Sequence, residues 1–108
     1  MDVPVGELPH PDIDGVPITR ILFALSDPNR LAVVYHLASE PENAGQCPAS
    51  INGLPKSTKS HIYKVLRESG IIRNEPDGRS RKLRLRKSEI DLVYPGLMDA
   101  VINSHKQY

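Results

Sequence analysis

KSTKSHIYKVLRESGII, from Lys56 to Ile72, decides how the rest of the chain is read. At 3.6 residues per turn Thr58, Ile62, Val65, Leu66 and Ser69 fall on one arc, and Ser57, Ser60, His61, Lys64 and Arg67 fall on the opposite one. The outer arc has no apolar residue, and its hydroxyls, imidazole and cations suit phosphate oxygens and base edges. Gly70 predicts the end of a helix over 56–69. Ile71 and Ile72 then open a β-prone run, followed by Pro76, Asp77, Gly78 and a dense set of arginines, so residues 71–87 read as a basic hairpin.

Charge is segregated around this stretch. The chain of 108 residues carries a formal net charge of only +1, but residues 56–87 hold eleven of the fourteen Lys and Arg against Glu68, Glu75 and Asp77, a local balance of +8. The flanks come to −5 over residues 1–55 and −2 over residues 88–108. A basic block between acidic flanks predicts one positive face able to sit on nucleic acid. The length fits one domain with a modest core of Ile, Leu and Val. The single cysteine, Cys47, excludes an internal disulfide and a cysteine-only metal cage, and it reads first as a small buried hydrophobe. No membrane span or signal-peptide pattern is present, so the cytoplasm is the expected location. No nucleophile and base pair, phosphate-binding glycine loop or paired carboxylates are found, which predicts neither an enzyme nor a cofactor.

In chain order, residues 1–17, with Pro4, Pro9, Pro11 and Pro17, predict a loose arm ahead of a domain over 18–108. Ile18, Ile21, Leu22 and Leu25 predict a helix ending by Ser26, and Asp27 caps a second one that starts at Pro28. That helix has Leu31, Val34, Tyr35 and Ala38 as its buried face, widened by Val33 and Leu37, and ends near Ser39. Residues 47–55 hold a turn or two of helix, and Gly53 leaves the tight helix, turn, helix spacing of a major-groove reader. Leu83 and Leu85, alternating with Lys82, Arg84 and Arg86, predict a half-buried strand paired with residues 71–75 across Pro76-Asp77-Gly78. The Arg79 to Lys87 run reads also as an edge strand protected by charge. Ser88 and Asp91 form a capping-box-like pair opening a helix to about Tyr94, and another runs from Pro95 to about Ser104. Ile90, Val93, Leu97, Val101 and Ile102, with Ile18, Ile21, Leu22 and Leu25, exceed what one small core needs and predict a two-fold homodimer. His36 reads as a core-edge residue, His10 and His105 as solvated, and Tyr35, Tyr63 and Tyr94 as packing residues.

ALSDPNRLAVVYHLA from Ala24 to Ala38, together with the Lys56 helix and the DGRSRKLRLR hairpin, resembles the ArsR-type winged helix-turn-helix repressors. The shared features are the Asp-Pro-x-Arg helix start, Ser-x-His, Leu-Arg-Glu-x-Gly and the Gly-Arg wing tip, and with the helices around them they span about residues 18–104. The resemblance implies a mainly α fold with a small two-stranded β-wing, a symmetric dimer joined through its first and last helices, and repression by binding a double-stranded DNA operator. It assigns Ser57, Thr58, Ser60, His61 and Lys64 to a recognition helix and Arg79 to the wing tip, and Lys56 and Arg81 complete the expected DNA-binding set. Metal-sensing relatives in that family carry a Cys-x-Cys pair near the third helix or Asp, His and Glu ligands on the last. Here those regions offer only Cys47 and His105, so no metal is expected and the effector is left unassigned. Other uses of the same basic face are docking on an acidic partner protein and binding of structured RNA.

Overall fold

The structure is a computed structural model that describes residues 8–39, 48–78 and 80–105. A 3₁₀ turn, Ile13–Gly15, leads into α1 (Ile18–Leu25), α2 (Pro28–Ser39), α3 (Ala49–Asn52) and α4 (Lys56–Glu68). The hairpin β1 (Ile72–Asp77) and β2 (Ser80–Leu85) follows, and then α5 (Lys87–Val93) and α6 (Leu97–Ser104). Helices with one antiparallel two-stranded hairpin after the second helix of a helix-turn-helix make this a winged helix-turn-helix fold.

The start of α2 follows from local chemistry. An Asp27 carboxylate oxygen accepts from the Arg30 backbone N–H at 3.0 Å, satisfying one of the amides that a helix start leaves without a partner. Arg30 then turns inward, against the expected pattern. Its Nε donates to Ala24 O at 2.7 Å and Nη2 to Phe23 O at 3.1 Å, and its guanidinium lies 5.1 Å from the Phe23 ring centre. It thereby occupies the last carbonyls of α1. The core face of α2 is consequently Arg30, Val33, Val34 and Leu37, with Leu31, Tyr35 and Ala38 only half-buried beside it.

Among the described residues the largest fully buried side chains are Ile21, Val33, Val34, Ile51, Leu66, Ile71, Ile72, Ile90 and Met98. Each contributes about 1.5–3 kcal/mol relative to an exposed position. They come from every helix and from the base of the hairpin, so α4 and the wing share one core. The end of α4 is a Schellman motif. Ile71 N–H donates to Leu66 O and Gly70 N–H to Arg67 O, both at 3.0 Å, with Gly70 at φ +79°. A Cβ at Gly70 would also sit 2.7 Å from the Ile13 δ-methyl. Gly70→Ala is therefore expected to lower stability by at least the 1–2 kcal/mol of a left-handed residue, roughly a 5–15 °C fall in Tm, read by thermal unfolding.

Several expectations need correction. The hairpin register pairs Asp77 with Ser80, so Pro76 and Asp77 belong to β1 and the expected Pro76-Asp77-Gly78 turn keeps only Gly78, at φ +60°. Ser88 does not cap α5. The helix begins one residue earlier, at Lys87, and Asp91 accepts from Lys87 Nζ at 2.8 Å. Ile21 and Ile90 serve the core of the single chain, so they are not spare surface. Within the stretch expected to be loose, residues 8–17 lie against the domain, with Ile13 and Val16 buried. Cys47 and Arg79 lie outside the described residues.

Candidate nucleic-acid interface

The chemistry of α4 follows from how it is laid down. Ile62 and Leu66 pack into the core one turn apart, which rotates positions 57, 60, 61 and 64 to the outside. Lys56, Ser57, Thr58, Ser60, His61 and Lys64 are all exposed, and none makes a hydrogen bond or ion pair among the described residues. Thr58, placed on the inner arc by the helical wheel, is exposed because burial of α4 begins only at Ile62, one turn later. Arg67 is the opposite case. Expected on the outer arc, it is 8% exposed, and its Nη1 donates to Pro9 O at 2.7 Å.

The cations of the basic block fall into two groups. Arg81 Nε donates to Asn74 Oδ1 at 2.8 Å and its Nη2 to Asn74 O at 2.7 Å, which holds the guanidinium along the hairpin. Buried Arg86 puts Nε and Nη2 on Glu89 Oε2 at 3.0 and 2.5 Å. This contact, rather than burial of the carboxylate, dominates at Glu89 and holds its carboxyl below the usual range, helped by Arg73 and Arg84. Arg73 lies 3.8 Å from Glu89 and Arg84 3.5 Å from Glu75. Lys87 Nζ bridges Asp91 at 2.8 Å and Asp99 at 3.1 Å, and hydrogen bonds to both raise its pKa. Lys56, Lys64 and Lys82 have no such partner among the described residues, and Lys59 has only the Asn52 carbonyl at 3.4 Å. The unengaged charge is thus concentrated on lysines of α4 and β2.

A cleft of about 270 Å³ joins the outer face of α4 to the wing, lined by Leu8, Ser60, Tyr63, Lys64, Arg67 and Asn74. The sequence pattern predicts the outward positions of Ser57, Ser60, His61 and Lys64, but not the exposure of Thr58, the burial of Arg67, or the approach of Asn74, Pro9 and His10. His10, expected to be solvated, is half-buried beside β1. His105 is exposed as expected, its ring 4.4 Å from that of Tyr35, whose hydroxyl shares a 2.7 Å hydrogen bond with Ser104. His36 is half-buried, with Nε2 unpartnered among the described residues. Among those residues no group of three or more His, Cys, Asp and Glu is arranged to hold a metal, and no helix is long and apolar enough to cross a membrane.

The architecture and its outward polar helix define a winged helix-turn-helix chain. No protein-family profile matches it. It is similar to YceK of Bacillus subtilis (strain 168), described as an uncharacterized HTH-type transcriptional regulator, with 29% identity over 84 residues covering 76% of this chain and 83% of that protein.

Proposed function

We propose that the protein is a sequence-specific, DNA-binding transcriptional regulator of ArsR type and not an enzyme. It acts in the cytoplasm as a homodimeric repressor, with α4 in the major groove and the hairpin as a wing. The observation that carries this reading is the face of α4, where six exposed hydroxyl, imidazole and ammonium groups have no protein partner among the described residues, while most neighbouring cations are engaged within the fold. Lys56 and Lys64 meet phosphates. Ser57, Thr58, Ser60 and His61 offer donors and acceptors to base edges, and Arg79 at the wing tip reaches the adjacent groove. Arg81, held by Asn74, acts by stiffening the hairpin and contacts the backbone only at its edge. The similarity to YceK supports the same reading.

The test is selection of bound duplexes from a randomised library by the wild type and by Ser60→Ala, His61→Ala and Lys64→Ala. Each helix substitution is expected to relax preference at defined base pairs, worth about 1–3 kcal/mol where the contact is to a base. Arg79→Ala should weaken all sequences alike. Selection of structured RNA over duplex DNA, or retention of no nucleic acid, would overturn the reading in favour of an RNA-binding or protein-docking role.

A further inference from the structure

The segment from Leu8 to Pro17 is fastened to three parts of the domain by side chains that donate to its carbonyls. Arg67 of α4 donates to Pro9 O at 2.7 Å, Arg86 at the end of β2 to Pro11 O at 2.8 Å, and Tyr94 after α5 to Val16 O at 2.8 Å. The segment's own Ile13 and Val16 are buried in the core. One further bond in the same sense joins backbone to side chain, the Asn74 N–H of β1 donating to His10 Nε2 at 3.0 Å. β1 has a strand on one side only, so this amide belongs to the free edge of the wing.

We propose that this segment is a strap that positions the wing relative to α4, that His10 is its catch on the wing, and that protonation of His10 releases the wing. The inference rests on the DNA-binding reading above. His10 accepts through Nε2, so its proton resides on Nδ1. The imidazolium carries N–H on both nitrogens, and two donors then face each other where one bond had been. Arg73 and Glu75 of β1, Arg67 and Glu68 of α4, Arg20 of α1, Arg86 and the strap's own Asp12 are the charged groups around it. Burial, followed by Arg73, Arg86 and Arg67, holds the imidazole below its ordinary 6.5, against a smaller opposing effect of Glu75. With its pKa lowered in the folded state, the native chain binds fewer protons than the unfolded one, so the catch is complete above about pH 6.5 and is lost as pH falls below that towards the lowered value.

The experiment is amide hydrogen exchange by NMR on the full chain without DNA, alongside duplex-DNA affinity, at pH 7.5 and 5.5. Wild type is compared with His10→Gln, whose side-chain oxygen accepts the Asn74 N–H at both pH values, and with His10→Ala, which accepts at neither. Protection of the Asn74 amide, corrected for intrinsic exchange, is expected to fall by up to about tenfold at pH 5.5 in wild type, to stay level in His10→Gln, and to be low throughout in His10→Ala. The ratio of wild-type to His10→Gln affinity for DNA should fall over the same interval, with His61 common to both proteins and so cancelling. Asn74 protection that ignores pH in wild type, or that falls equally in His10→Gln, overturns the strap. Protection that follows pH in a protein that never binds duplex DNA supports the catch and overturns the DNA reading instead.

Discussion

Affinity for duplex DNA is expected to drop about ten-thousand-fold between 50 and 200 mM salt, a slope near −7, if Lys56, Lys59, Lys64 and Lys82 of two subunits each neutralise a phosphate. The count is set by the structure and not by the bulk charge. All eleven cations of residues 56–87 in each subunit would give a slope of about −20, but Arg67, Arg73, Arg81, Arg84, Arg86 and Lys87 are each engaged with a carbonyl, amide or carboxylate of the protein itself. Adding Arg79 of each subunit brings the expectation to about −9. Fluorescence anisotropy on one duplex across a salt series measures the slope. A flat response would remove phosphate contact from the account, whereas a slope near −20 would mean that the engaged arginines swing out on binding.

Separating two subunits is expected to weaken operator binding by roughly 10² to 10⁴-fold, because each half-site then binds without help from its neighbour. Leu22 and Phe23 on α1 stand 50% and 62% exposed, while Leu97, Val101 and Ile102 of α6 are half-buried against the core. Leu22→Glu is therefore the cleaner substitution. It touches a surface position whose loss should alter the stability of one chain by no more than about 0.5 kcal/mol, whereas Leu97→Glu and Val101→Glu also disturb core packing. Light scattering should show a dimer in wild type and a folded monomer in Leu22→Glu, with Tm lowered only by the lost association. A wild-type monomer at micromolar concentration would remove the two-fold assembly.

The helices and the hairpin were legible because each rests on a short-range rule. The 3.6-residue spacing of Ile62 and Leu66, proline at the start of α2 and glycine after α4 act within a few residues of themselves. The polar face of α4 was legible for the same reason, since burying Ile62 and Leu66 forces Ser60, His61 and Lys64 outward. The buried arginines were not. Arg67, Arg86 and Arg30 reach carbonyls 58, 75 and 6 residues away, and a helical wheel treats any guanidinium as solvated. The proline-rich stretch around His10 misled for a related reason, because low periodicity says nothing of carbonyls that another element's side chains come to meet. The Ser88 and Asp91 pair failed because the helix starts at Lys87, which places Ser88 inside its first turn and not at its cap.

The hairpin is also a lever. Six residue pairs stand between its base at Ile72 and Leu85 and its tip, a reach of roughly 17 Å, so a tilt of about 10° at the base carries the tip some 3 Å, the length of a hydrogen bond. The base is closed by Arg86 N–H on Ile71 O at 2.9 Å and sunk in the core, and the strap grips two residues further out, at Asn74. A grip so close to the fulcrum multiplies its own play severalfold at Gly78. An ångström of slack at His10 is thus enough to decide whether the far end of the wing meets a groove or misses it.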